Sequence, residues 1–122
     1  MSERAPSVAG VAMVAIDCDH PGQLVQFWAA LLGGEVEVYA DGDARLRPAE
    51  GPVIDFLRVP DAKSGKNRLH LDLRSSDFDR AVEEAVSLGA TKADDVYAGG
   101  TWQVLRDPED NEFCILRPSR DQ

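Results

Sequence analysis

One short segment of the chain alternates strictly between polar and leucine side chains. From Arg68 to Arg74 the polar face also includes His70 and Asp72, and every residue between them is a leucine. Successive side chains of a β-strand point to opposite faces, so the segment is predicted to be a strand with its leucines under a helix. An imidazole beside a carboxylate can bind a metal ion or transfer a proton, because the carboxylate fixes the tautomer. The pattern therefore indicates a binding surface centred on His70.

A second predicted strand, at 112–117, carries Glu112 and Cys114 on one face. If Cys114 lies beside His70, the imidazole can activate its thiolate for nucleophilic attack. The alternative is a small buried side chain, which is the usual state of a free cysteine. Glu112 is a candidate acid–base residue, together with His70.

Ligand pockets are mostly apolar with a few placed polar groups. The apolar walls of such a pocket are assigned here to Met13, Phe56 and Trp102, and further polar contacts to Asp72 and Arg74. A basic cluster beside the predicted linker either receives a ligand carboxylate or is a solvated loop; it consists of Lys63, Lys66 and Arg68.

Hydrophobic periodicity in the first half predicts a strand at 10–18 and then a helix. Pro21 suits the first helical turn, with Asp19 as the N-cap, and Gly33 ends the helix. Three short strands follow, at 36–38, 44–46 and 53–59.

The second half repeats this order. A strand at 68–74 precedes a helix capped by Ser76 and ending at Gly89, and a hairpin through Gly99 and Gly100 includes Val96 and Trp102. The final strand follows. Each helix ends in Leu-Gly, and each last strand opens with an acid and a phenylalanine. This repeat predicts an α+β fold of two βαβββ modules with hairpin-linked antiparallel strands.

The length of 122 residues fits a single domain, residues 1–122, with no room for a separate cofactor domain. Its expected parts are module one at about 9–60, a linker at 61–67 and module two at about 68–118. The net charge of −9 repels phosphate backbones and anionic lipids, so neither nucleic acid nor a membrane is expected as a partner.

The two cysteines, Cys18 and Cys114, lie far apart and form no CxxC motif. Free thiols in a reducing compartment explain them. The N-terminal residues carry no apolar signal segment, and no apolar run approaches the length of a membrane span. The expected location is the cytoplasm.

Three motifs resemble the vicinal oxygen chelate superfamily, and within it the bacterial glyoxalase-like domains related to bleomycin resistance proteins and dioxygenases. They are Phe27-Trp28-x-x-Leu31-Leu32-Gly33, the segment 66–73 (KNRLHLDL) and the segment 107–114 (DPEDNEFC). The third motif has Asp110 where the family usually has glycine.

This resemblance implies a mainly antiparallel sheet from each module and a cleft between them. It also implies a homodimer, in which modules pair within one chain or between two chains. Some members of the superfamily are metal-dependent lyases, isomerases or dioxygenases, and others bind a drug in the cleft without any metal.

The resemblance also implies which positions would hold a metal. His70 matches the metal-binding histidine of the second module, whereas Met13 and Cys114 stand at two other ligand positions and Leu57 near the fourth. Thioether is a poor ligand for Zn²⁺ or Ni²⁺, and a catalytic site usually has three protein ligands.

We therefore expect a protein that binds a small organic molecule without a complete catalytic metal site. The alternative is a lyase, isomerase or dioxygenase that uses acid–base chemistry or a divalent ion (Zn, Ni, Fe or Mn) held by His70.

Overall fold

A computed structural model describes residues 11–60 and 63–118 of the chain. The predicted start of module one at residues 9–10 and the linker residues 61–62 lie outside the described residues. Two helices and eight strands are present in the described ranges. None of these helices is both long and apolar enough to cross a membrane.

Each half of the chain folds as the repeat predicts. Module one consists of β1 (Val14–Cys18), α1 (Pro21–Leu32), β2 (Glu35–Val38), β3 (Ala44–Arg47) and β4 (Ile54–Arg58). Module two consists of β5 (Leu71–Arg74), α2 (Phe78–Leu88), β6 (Thr91–Lys92), β7 (Trp102–Arg106) and β8 (Glu112–Leu116).

The two modules form two four-stranded sheets with matching strand orders. Sheet one runs β1-β4-β3-β2, and sheet two runs β5-β8-β7-β6. In each sheet the first strand pairs in parallel with the last strand of its module, and the other pairs are antiparallel. The predicted βαβββ modules and mainly antiparallel sheets are thus confirmed.

Four details differ from the sequence-based predictions. β5 begins at Leu71, and Leu69 is 89% exposed and does not pack under a helix. Asp77 caps α2 in place of Ser76, because its carboxylate accepts from the Arg80 N–H. The partner of β7 is Thr91–Lys92 and not the region of Val96, so a long irregular loop separates β6 from β7.

The N-terminus of α1 is the fourth difference. His20 occupies the N-cap position and its side chain makes no capping hydrogen bond. Both oxygens of Glu109, from module two, accept hydrogen bonds there instead, from the Asp19 N–H at 2.7 Å and the His20 N–H at 2.8 Å. A carboxylate at this end of a helix satisfies free N–H groups and favours the helix dipole.

One hydrophobic core serves both modules. Trp28 of α1 packs edge-on against Phe113 of β8, with ring centroids 4.8 Å apart. Its indole N–H donates to the buried Asp107 carboxylate at 3.0 Å, and α1 also packs against α2. This shared core fixes the position of sheet two relative to the rest of the described chain.

Candidate functional site

Sheet two presents an apolar face to the core and a mixed face away from it. Leu71, Phe113 and Leu105 are aligned across β5, β8 and β7 and belong to the core. The neighbouring row consists of Asp72, Cys114 and Val104, which are also aligned across the three strands. Strand alternation places this second row on the opposite face.

A cavity of about 450 Å³ lies over this second row. Its size falls within the usual range for small-molecule sites, about 300–1,000 Å³. Most of its wall is apolar, and its polar side chains include Lys66, His70, Asp72 and Glu112. The lining residues, called the sheet-two pocket below, are Lys66, His70, Asp72, Val96, Tyr97, Trp102, Val104, Glu112, Cys114 and Leu116.

Two aromatic rings form one wall of the sheet-two pocket. Tyr97 and Trp102 stack with centroids 4.0 Å apart and planes 8° from parallel, and Trp102 stays 37% exposed. Trp102 was predicted from the sequence as a pocket residue, but Tyr97 was not, because it lies in the irregular loop before β7, where no periodicity marks a face. A pre-stacked aromatic pair offers a rigid surface to a flat or apolar ligand.

The opposite end of the pocket is polar. His70 Nε2 lies 3.0 Å from Asp72 Oδ1, and both side chains are about half exposed. Burial and then the nearby Asp72 carboxylate raise the pKa of the Cys114 thiol to about 11. Cys114 is therefore a neutral thiol near pH 7, which argues against the nucleophilic alternative.

His70, Asp72 and Cys114 also form a group able to hold a metal ion. One nitrogen, one oxygen and one sulfur atom, one from each residue, all lie within 4.8 Å of one another. Three protein donors are the number usual in a catalytic zinc site, where a bound ion would acidify a water or polarise an oxygen. The donor set fits a divalent ion; His70 and Cys114 stand at ligand positions that the resemblance implies, and Asp72 does not.

Glu112 faces the pocket but its carboxylate is engaged. Oε1 accepts from the Asn67 N–H at 2.9 Å, and Lys63 Nζ and Arg106 Nε lie 3.3 and 3.4 Å from its oxygens. Burial opposes ionisation of Glu112, but the donors from Asn67 and Lys63 outweigh it and lower the pKa of the carboxyl. These contacts show Glu112 holding the segment before β5 in place; a catalytic role for it stays a prediction.

Three other predicted ligand-binding residues do not line the sheet-two pocket. Phe56 is fully buried in the core, because alternation along β4 turns it toward the helix; its assignment as a pocket wall is wrong. Met13 lies in module one, where its Sδ accepts from Arg45 Nη2 at 3.4 Å. Arg74 donates to the backbone oxygen of Arg117 at 2.9 Å.

A wider groove of about 930 Å³ runs between β1 and the segment 63–71. Charges of both signs line it, among them Asp17, Lys66 and Arg68. Lys63, which also lines it, is already paired with Glu112. The mixed charge gives this groove no clear preference for an anion.

The architecture of two βαβββ modules around one core is that of the glyoxalase/bleomycin resistance/dioxygenase fold. The family model described as "Glyoxalase-like domain" matches residues 13–116. The chain therefore belongs to the glyoxalase-like domain family. A search of curated proteins finds no match.

Solved structures with the same fold have low sequence identity. A glyoxalase/bleomycin resistance protein/dioxygenase family enzyme from Burkholderia phytofirmans PsJN is 20% identical, with a TM-score of 0.72 over 88% of this chain and 98% of that chain. The fosfomycin resistance protein FosX from Listeria monocytogenes reaches a TM-score of 0.74 at 12% identity, over 93% of this chain and 94% of that one.

Another structure of the Listeria protein, a mutant, is described as a complex with Mn(II) and 1S,2S-dihydroxypropylphosphonic acid. It is 13% identical to this chain, with a TM-score of 0.71 over 93% of this chain and 94% of that chain. At these identities the likeness establishes the fold.

Proposed function

We propose that this protein binds a small organic molecule in the sheet-two pocket, between the Tyr97–Trp102 stack and the His70–Asp72 pair. The stacked pair is the observation that carries the proposal, because the partly exposed ring of Trp102 lies in a mostly apolar cavity of about 450 Å³. An apolar group of the ligand would cover Trp102, and a polar group would contact His70.

The two ends of the pocket differ in polarity, and this difference indicates the kind of ligand that would bind. A flat, apolar body matches the aromatic wall, and a hydroxyl or carbonyl oxygen matches the imidazole and carboxylate at the polar end. Val104 and Leu116 extend the apolar surface between the two ends. Small aromatic alcohols are therefore suitable probes of the site.

Binding of phenol and its saturated analogue cyclohexanol, measured by saturation-transfer NMR, tests this proposal. Trp102→Ala removes the exposed wall and is expected to weaken phenol binding about tenfold or more. Tyr39→Ala is the matched control, since Tyr39 is an equally exposed aromatic residue (38% against 37%) directly after β2, away from the sheet-two pocket. Phenol binding that survives Trp102→Ala, or falls equally in both variants, would contradict the proposal.

An enzyme of the lyase, isomerase or dioxygenase type is the second candidate. The His70–Asp72 pair favours it, because a carboxylate that holds one ring nitrogen leaves the other free as a general base near the pocket. His70→Ala is expected to abolish turnover of an oxygenated substrate while the circular dichroism spectrum is retained. Unchanged turnover in this variant would exclude His70 from the chemistry.

A homodimer in the cytoplasm completes the proposal. Exposed apolar side chains near sheet one support an interface there, among them Val38 at 58% and Tyr39 at 38%. Both cysteines are free, which suits a reducing compartment. Sedimentation equilibrium is expected to give twice the chain mass, and a monomer at all concentrations would contradict the dimer.

A further inference from the structure

The loop between β6 and β7, residues 93–101, carries part of the aromatic wall of the sheet-two pocket. Ala93 is fully buried, and its carbonyl oxygen accepts from the N–H groups of Val96 and Tyr97 at 2.9 and 3.3 Å. This turn brings Val96 and Tyr97 to the pocket. Because the loop belongs to no helix or strand, side-chain contacts decide how firmly Tyr97 is held against Trp102.

Arg106 of β7 binds this loop through Asp95. Its Nη1 and Nη2 atoms donate to the two carboxylate oxygens of Asp95, at 3.0 and 2.8 Å. A guanidinium–carboxylate pair with two bonds fixes orientation as well as distance. Asp95 lies two residues before Tyr97, so the ion pair restrains the turn that carries the tyrosine ring. Arg106 is not itself one of the lining residues of the pocket.

Arg106 is in turn held in place on the open face of sheet two. Alternation along β7 puts it on the same face as Trp102, and it lies directly opposite Glu112 of β8. Its Nε atom lies 3.4 Å from Glu112 Oε2. Glu112 is only 5% exposed and accepts from the Asn67 N–H at 2.9 Å. A buried carboxylate held in this way is a rigid anchor, so Arg106 connects the β6–β7 loop to the segment before β5.

Gly99 leaves the space that Tyr97 occupies. A methyl group at Gly99 would overlap the hydroxyl group and the ring of Tyr97, although the φ angle of Gly99 is not positive and suits other residues. The Tyr97 ring thus lies against the bare backbone of Gly99 as well as against Trp102. A side chain at this position would therefore displace the ring without changing any charge.

We propose that Arg106 is a positioning residue of the sheet-two pocket, which holds Tyr97 in its stack on Trp102 before any ligand binds. The inference rests on the proposed function, since it concerns the same pocket. A wall formed beforehand spares the ligand the cost of ordering a side chain, which corresponds to about three- to tenfold in affinity. Exposed ion pairs contribute little to global stability, so loss of this one should weaken binding and leave unfolding unchanged.

The first test needs no ligand. Asp95→Ala removes the ion pair, and Asp94→Ala in the same loop is the matched control, because the Asp94 carboxylate accepts from the Gln103 amide at 3.2 Å instead. Acrylamide quenching of tryptophan fluorescence reports on Trp102, since Trp28, the other tryptophan, is 1% exposed. The quenching constant is expected to rise about twofold in Asp95→Ala, because the second face of the indole ring is uncovered, and to stay unchanged in Asp94→Ala.

The second test measures phenol affinity on the same proteins. It is expected to fall about three- to tenfold in Asp95→Ala and also in Gly99→Ala, which displaces Tyr97 without altering a charge. Gly22→Ala in α1 is the control for the glycine variant, since a methyl group there meets no atom within 4 Å. Thermal unfolding midpoints of Asp95→Ala and the unaltered protein should agree, which separates positioning of the wall from a loss of the fold.

The two tests distinguish failure of the inference from failure of the proposed function. Equal quenching, or equal phenol affinity, in Asp95→Ala and Asp94→Ala would overturn the role of Arg106, while phenol binding by the unaltered protein would still support the pocket. If the unaltered protein binds no phenol, the proposed function fails. The quenching constants alone then decide whether Arg106 holds Tyr97 in its stack.

Discussion

Asp72 is the residue on which the polar end of the pocket depends. Its carboxylate lies 3.0 Å from His70 Nε2 and directly beside Cys114 in the register of β5 and β8. A hydrogen bond to Nε2 leaves Nδ1 as the nitrogen able to accept a proton or bind an ion. Loss of Asp72 would therefore change the orientation of the imidazole as well as the charge of the pocket.

Arg45 and Asp55 form a two-bond ion pair on the open face of sheet one, with side chains 23% and 13% exposed. The hydrogen bonds from Arg45 lower the pKa of Asp55. Because its folded pKa lies below its unfolded value, the pair stabilises the fold above about pH 4 and is lost as the pH falls through the folded pKa.

Asp55→Asn is accordingly expected to lower the free energy of unfolding at pH 7. The difference from the unaltered protein should shrink in acid, where Asp55 is protonated in both states. Urea unfolding at a series of pH values measures this, with Glu83→Gln, an exposed helix carboxylate, as the control. A stability difference between Asp55→Asn and the unaltered protein that does not change with pH would contradict a stabilising role for the ionised Asp55 carboxylate.

Strand alternation predicted which residues share one face of a strand, but it could not predict which face is buried by packing. His70, Asp72, Cys114 and Trp102 lie in one pocket because each falls on the open face of its strand or directly before it. Phe56 alternates in the same way, but only the position of the helix shows which face of β4 is buried.

At the level of the elements, Glu109 connects the modules by capping a helix that is not its own. Helix α1 lacks an acidic residue in its first turn and a side-chain cap, and Glu109 accepts two backbone N–H groups there. The sequence could not predict this, since the two partners lie about 90 residues apart. The local sequence pattern predicted helix α1 correctly, but it indicated Asp19 as the N-cap residue.

Glu109→Ala is expected to destabilise the fold by about 1–2 kcal/mol, the usual cost of a lost helix cap and its charge. Glu109→Gln keeps one oxygen acceptor without the charge, so this variant should lose less stability than Glu109→Ala. Thermal and urea unfolding measure both, against Glu83→Ala on the surface of α2. Equal stability of Glu109→Ala and Glu83→Ala would show that the contact contributes nothing.

Prediction of the secondary structure failed mainly in segments without a regular hydrophobic period. Both helices and all the strands with clear periodicity were found, whereas the two-residue β6 (Thr91–Lys92) was missed, because so short a strand has no period. The loop that follows it carries Val96 and Tyr97 into the pocket. The pocket residues in this loop could therefore not be predicted from hydrophobic periodicity.

Across the whole molecule, the candidate site lies on module two. The two sheets have equivalent topology, yet the corresponding region of sheet one holds the Arg45–Asp55 pair and Met13. The shared core around Trp28 and Phe113 holds both modules together. Duplication of the fold thus does not duplicate the set of polar side chains on the two sheets.

The proposal that a small molecule binds in the sheet-two pocket is tested most directly by mapping the binding site over the whole protein. Two-dimensional ¹H–¹⁵N NMR spectra of the isotopically labelled protein would be recorded during titration with phenol. If the ligand binds in the sheet-two pocket, shift changes are expected at His70, Asp72, Tyr97, Trp102 and Cys114, with sheet one unaffected. Shifts confined to β1, Lys63, Arg68 and Leu69, which line only the wider groove, or spread over sheet one, would contradict it.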